Sequence, residues 1–195
     1  MRSFDFWFDY SCPYAYLAST QVEALAARAQ ATIVYKPMLL GGVFRAVNTS
    51  QNLFNELSPA KARHNGLDMH RWADLFGVPL TMPAAHPMRT VEALRATLLT
   101  GIDPKVITAF YRAYWIEGRP PSAPETLRDV LTTTGHDAER ILAALDSVKD
   151  DLRQRTDEAI ALGIFGAPAF VVGQDMFWGQ DRMQFVERAL ARMRS

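Results

Sequence analysis

Only one of the 195 residues is a cysteine. A single thiol cannot form a disulfide within the chain, nor a multi-cysteine zinc or iron–sulfur cage, and such sparse use of cysteine fits a reducing compartment. Charge of either sign is not in excess, since 21 Lys+Arg stand against 21 Asp+Glu. The chain therefore lacks the overall basic character of a nucleic-acid binder. Long apolar runs are missing too. The least polar stretch, residues 163–173, contains Pro168 and three glycines, and it is far shorter than the ~20 residues that span a bilayer. Asp5 and Asp9 interrupt what would have to be an apolar leader. His64, His70, His86 and His136 show no paired metal-ligand spacing, so no metal is expected. These absences predict a cytoplasmic protein that holds neither nucleic acid nor membrane. An apolar content of 49% is ample for the core of one compact unit.

What is present has a clear order. Phe4, Phe6 and Phe8 alternate with Asp5, Trp7 and Asp9, a period of two that reads as a strand. Tyr10-Ser11-Cys12 breaks it, Pro13 suits a first helical position, and residues 15–29 form helix readily. A second strand covers Thr32-Ile33-Val34-Tyr35, so the chain opens as strand–helix–strand, a parallel crossover unit. Helical periodicity then runs from about residue 40 to 162. Asp103, Asp137 and the Ser122…Glu125 capping box are placed to start helices, and Gly77, Gly118, Gly135 and Gly163 to end them. Strand chemistry returns at Pro168-Ala-Phe-Val-Val172 and Asp175-Met-Phe-Trp178, joined by a two-residue Gly173-Gln174 hairpin. Asp181, with Gln184 three residues on, reads as the capping box of a last helix. The order β-α-β, helices, β-β-α predicts an α/β thioredoxin-like fold, residues 1–38 and 163–195, with an all-helical insertion over 39–162.

Three separated segments carry a resemblance. Phe6-Trp-Phe-Asp-Tyr-Ser-Cys-Pro-Tyr-Ala-Tyr-Leu17 resembles the active-site start of the kappa-class glutathione transferases and the 2-hydroxychromene-2-carboxylate isomerases. In these an aromatic strand, Asp and an aromatic lead into Ser-Pro-aromatic-x-Tyr-Leu. Phe165-Gly-Ala-Pro168 is similar to the cis-proline loop of that family, and Phe177-Trp-Gly-Gln-Asp-Arg182 to the phrase that opens the last helix of the isomerases. Lys61, within Pro59-Ala-Lys-Ala-Arg63, matches a glutathione-binding lysine.

The resemblance implies glutathione as cofactor. It also implies that a serine hydroxyl donates to the glutathione sulfur. Here Cys12 stands at that serine's place and Ser11 precedes it, so both remain candidates. Cys12 lies at the amino end of the first predicted helix, where free N–H groups and the helix dipole favour a thiolate. A cis Ala167–Pro168 bond would let the backbone of Ala167 pair with the cysteinyl part of glutathione. Asp181 would take the γ-glutamyl ammonium, Arg182 and the helix start a carboxylate, and Lys61 another carboxylate. Asn48, or another polar residue of 48–52, would add a bond. Tyr111, Tyr114 and Trp115 are core or pocket wall, and Arg45 or Arg89 could face a substrate carboxylate.

The expected activity is a glutathione-dependent cis–trans isomerisation of an aromatic-ring degradation intermediate, by addition and elimination of the glutathione thiolate. A small aromatic substrate and a homodimer come with the resemblance. Three alternatives stand beside it: a monothiol thiol–disulfide oxidoreductase cycling Cys12, a conjugating glutathione transferase, and a non-catalytic glutathione-binding module. The partner position of a Cys-x-x-Cys pair is Ala15, which excludes a dithiol cycle.

Overall fold

The computed structural model describes residues 2–50 and 56–193. Strand β1 (Ser3–Phe8) lies inside a four-stranded sheet of order β2-β1-β3-β4. It pairs in parallel with β2 (Thr32–Pro37) and antiparallel with β3 (Ala169–Val172), which pairs antiparallel with β4 (Asp175–Trp178). Phe4, Phe6, Trp7 and Phe8 are all buried, because an inner strand is covered on both faces. Pro37 ends β2 at the sheet edge, where a missing N–H costs least. Gly173 turns the β3–β4 hairpin with a φ of 62°, as its predicted place required.

The crossover between β1 and β2 is two helices, α1 (Pro13–Ser19) and α2 (Val22–Ala29), rather than the single helix expected over 15–29. The Ser19 and Thr20 hydroxyls donate back to the carbonyls of Tyr16 and Leu17, both at 2.7 Å, and these bonds compete with helix continuation.

Between β2 and β3 come α3 (Leu40–Ala46), α4 (Pro59–Phe76), α5 (Val91–Leu99), α6 (Pro104–Trp115), α7 (Pro124–Thr133), α8 (Ala138–Ala144) and α9 (Lys149–Ala161). Asp103 and Asp137 cap α6 and α8 as expected. Ser122 does not cap α7. Its Oγ accepts the N–H groups of Glu92 at 3.2 Å and Ala93 at 3.4 Å, and so caps α5 from a distant segment. A 3₁₀ turn (Gln180–Arg182) leads into α10 (Met183–Arg192), which packs on α2 and β3. One aromatic core joins sheet and helices: Phe6 stacks on Phe8 and Phe170, and Tyr10 meets Phe110 and Tyr111 of α6.

Candidate functional site

After Phe8 the chain leaves the sheet, and residues 9–12 cross to α1 under tight restraint. The Asp9 carbonyl accepts the Cys12 N–H at 3.3 Å and the Tyr111 hydroxyl at 3.4 Å. The Tyr10 carbonyl accepts the Trp115 indole N–H at 2.8 Å, and the Tyr10 hydroxyl meets Thr97 at 2.6 Å. Helix α6 thus clamps the turn from one side. Tyr111, Tyr114 and Trp115 are all buried. They are core: Tyr111 and Trp115 act on the turn from beneath, Tyr111 also borders a cavity with Tyr16, Val78 and Ile107, and the Tyr114 hydroxyl meets His86 and the Met88 N–H instead.

Cys12 is the N-cap of α1, with extended backbone angles, and Pro13 takes the first helical position. Its Sγ lies 3.0 Å from the carbonyl oxygen of Ala167, to which the thiol donates. Only 7% of the residue is exposed. Burial pushes the thiol up to about 12, against the smaller downward pull of the Ala15 and Tyr14 N–H groups, and the Asp9 carboxylate raises it further. The sequence had predicted a thiolate here. That expectation is corrected: loss of solvent outweighs the helix start, and Cys12 is a neutral donor. Ser11 is placed differently. Its Oγ donates to Asp9 Oδ1 at 3.1 Å, and its N–H reaches the same oxygen at 3.0 Å.

The Ala167–Pro168 peptide is cis, as the loop's likeness implied. Ala167 brings its carbonyl onto Cys12, and the Pro168 carbonyl accepts the Gly179 N–H at 3.0 Å. The Gly166 position lies against Trp178, where an added Cβ would stand 2.7 Å from the indole nitrogen. Trp178 in turn packs on Phe165 with ring centroids 5.1 Å apart, and about half of each ring is exposed. A second cis bond, His86–Pro87, has no counterpart in the sequence motifs above. His86 Nδ1 lies 2.8 Å from the Tyr114 hydroxyl, and burial lowers the imidazole's pKa.

Asp181 and Arg182 follow directly, in the 3₁₀ turn that contacts α1. The predicted capping box does not form, because α10 begins only at Met183 with no side-chain cap. The Asp181 carboxylate pairs instead with the Arg182 guanidinium. Between this turn and α4 lies Tyr14, whose phenol is pushed up to about 12, mainly by burial and then by the charges of Asp68 and Asp181. Lys61, in the first turn of α4, and Asn48, just after α3, are exposed. Among the described residues no hydrogen bond or ion pair links either side chain to the turn at Cys12. Asn48 has a φ of 54°, a left-handed conformation that Asn tolerates at a helix end. Positions 51 and 52 of the 48–52 stretch lie outside the described residues. Arg89 is paired with Glu92 at 2.7 Å, and Arg45 is exposed on α3. The structure therefore brings Cys12, Ala167 and Pro168 together and puts Asp181 and Arg182 beside them. Asp9, whose carboxylate gathers the Ser11 and Leu40 N–H groups at the centre of the turn, was given no role by the sequence. Its signals were a carboxylate at the end of an otherwise aromatic strand and the Asp of the aromatic-Asp-aromatic phrase that carries the resemblance.

The comparisons with known proteins agree with this geometry. The profile of the DSBA-like thioredoxin domain matches residues 4–191. The 2-hydroxychromene-2-carboxylate isomerase of Sphingobium xenophagum is 31% identical over 193 residues, covering 97% of this chain and 98% of that protein. Glutathione S-transferase kappa 2 of Caenorhabditis elegans is 28% identical over 182 residues, covering 84% of this chain and 77% of that protein. A solved 2-hydroxychromene-2-carboxylate isomerase superposes with a TM-score of 0.87 at 26% identity, covering 98% of this chain and 95% of that one. With the sheet order, the cis-proline loop and the Cys12 turn in place, the chain belongs to the DsbA-like thioredoxin family, among the relatives of the 2-hydroxychromene-2-carboxylate isomerases and kappa-class glutathione transferases.

Proposed function

We propose that this protein is a glutathione-dependent isomerase of an aromatic-ring degradation intermediate, like the 2-hydroxychromene-2-carboxylate isomerases to which it is related. One observation carries the reading: a buried, protonated Cys12 thiol lies 3.0 Å from the carbonyl of Ala167, beside a cis proline. The donor set fits the tripeptide. A neutral S–H can give its hydrogen to a neighbouring sulfur that carries charge, whereas an ionised Cys12 would repel it. Glutathione, when bound, supplies a thiolate that adds reversibly to an activated alkene and so frees rotation about it.

The chain's own residues do the binding and positioning. Cys12 holds the sulfur's charge by hydrogen bonding, and the backbone of Ala167 aligns the peptide as an added strand would. Asp181 takes the ammonium, while Lys61 and Arg182 offer cations to the carboxylates, with Asn48 as a further polar contact. The aromatic clamp of Tyr111 and Trp115 keeps the turn rigid, so the sulfur and a small aromatic substrate meet in a fixed orientation. The monothiol redox reading loses support, because a thiol pushed up to about 12 presents almost no thiolate at neutral pH.

The test is turnover of 2-hydroxychromene-2-carboxylate followed by ultraviolet absorbance, with and without glutathione, beside calorimetric titration of glutathione. Isomerisation that requires the tripeptide is the expected result. Turnover without it removes glutathione from the mechanism, and binding without turnover leaves a non-catalytic module. Conjugation of a chloronitrobenzene without isomerisation assigns the transferase activity instead. A homodimer, expected by resemblance, is checked by light scattering of the same preparation.

A further inference from the structure

The turn before α1 is organised around a buried carboxylate that has no cation. Asp9 Oδ1 accepts the Ser11 N–H at 3.0 Å and the Ser11 hydroxyl at 3.1 Å, and Oδ2 accepts the N–H of Leu40, the first residue of α3, at 2.8 Å. The Thr90 hydroxyl, just ahead of α5, faces the same carboxyl. Among the described residues no lysine, arginine or histidine pairs with it, and it is 1% exposed. A carboxylate is the side chain that suits such a place, since it accepts on both oxygens and donates on neither. An asparagine would turn an N–H onto one of these donors.

We infer that Asp9 is a positioning residue of the sulfur site: it draws the turn, α3 and the segment ahead of α5 together, occupies the Ser11 hydroxyl, and leaves Cys12 as the side chain that meets a bound sulfur. This rests on the glutathione reading above. The Ser11 hydroxyl has one hydrogen, and it is directed to Asp9. The one Cys12 hydrogen goes to the neutral Ala167 carbonyl, a weaker acceptor than a carboxylate, so it can turn from that carbonyl to a charged sulfur more readily than the Ser11 hydrogen can leave Asp9. The titratable groups around the pair act in the same sense. Tyr10, Tyr111 and Tyr114 are buried phenols raised by loss of solvent, and each also feels the charge of Asp9. Burial raises the Asp9 carboxyl above its ordinary value, against the Ser11, Leu40 and Thr90 hydrogen bonds that favour its charged form. In that charged form it adds to the burial that keeps Cys12 protonated.

Two measurements test this. In the first, the absorbance of the glutathione thiolate is titrated in complexes of wild type, Ser11→Ala and Cys12→Ala. Ser11→Ala is expected to leave the sulfur's titration midpoint where it is, and Cys12→Ala to move it to higher pH. A Ser11→Ala shift as large as that of Cys12→Ala overturns the inference. In the second, alkylation of Cys12 by iodoacetamide is followed against pH in the ligand-free protein. Asp9→Asn is expected to move the midpoint to lower pH, with up to about a tenfold rise in thiolate at fixed pH, while Ser11→Ala leaves it unchanged because the charge remains. A faster reaction in Asp9→Asn with no change of midpoint denotes mere loosening and overturns the electrostatic role. Circular dichroism checks that Asp9→Asn folds, and if it does not, the Ser11→Ala and Cys12→Ala titrations decide. Should glutathione not bind at all, the proposed function fails while the alkylation profile still judges Asp9.

Discussion

At the strand-to-helix turn, Asp9 and Cys12 are buried and their polar atoms already have partners inside the protein, whereas Asp181, Arg182 and Lys61 stand at or near the surface. The site proposed for glutathione would thus be fixed where the sulfur is to lie and adjustable at its charged end. In the buried part each hydrogen bond is strong because water cannot replace it, and removing one partner strands the other. At the surface, solvent and salt screen the charges, so single contacts count for little and several must act together. A site divided in this way can hold the reacting atom rigidly while the rest of a flexible ligand settles by small increments.

That contrast can be tested by loosening each end. The largest effect is expected from Trp115→Ala, which empties a fully buried site beneath the turn and strands the Tyr10 carbonyl. Urea denaturation should show a loss of about 3–5 kcal/mol, and a loss near zero would mean the turn does not depend on its clamp. Next comes Cys12→Ala, which should slow glutathione-dependent turnover roughly 10-fold or more, the lower side of what a lost hydrogen-bond donor to a developing charge costs. Cys12→Ser should retain or raise the rate, since a hydroxyl donates better than a thiol. Loss of activity in the serine variant would restore the redox reading.

A third effect concerns alkaline pH. The Cys12 thiol is raised from an ordinary 9.0 to about 12 in the folded chain, so folding favours its protonated form. Its contribution to stability is full below about pH 9 and is lost as pH rises towards 12. Urea midpoints at pH 7.5 and 10 should therefore fall less in Cys12→Ala than in wild type. The smallest effects belong to the exposed end. Lys61→Ala and Asp181→Ala should each weaken glutathione binding by up to about fivefold, and less in high salt. A far larger loss from either would show that the surface charges are not the minor partners described here.

Much of this was legible in the residues. The alternating phenylalanines marked β1, Gly173-Gln174 marked the hairpin, and Asp103 and Asp137 marked two helix starts, because each is a local pattern with a local cause. The resemblance located the cis proline. What escaped depended on partners far along the chain. Ser122 caps α5 instead of the helix beside it, and Asp9 gathers donors from Ser11 and Leu40. The cap expected of Asp181 failed for a local reason, since the adjacent Arg182 takes its carboxylate and α10 begins only at Met183. The thiol of Cys12 was misjudged because its position at a helix start is visible in sequence, whereas its burial is a property of the whole fold.

The contact between Trp178 and Gly166 has a practical side. Of the four tryptophans, Trp7 and Trp115 are sealed in the core and Trp72 packs against it, while Trp178 is half in water with its indole nitrogen over the loop that carries Ala167. Its fluorescence should therefore change when that loop is occupied, while the two sealed indoles remain a steady background. If the proposed ligand enters there, the protein carries its own optical gauge of it, readable without any attached dye.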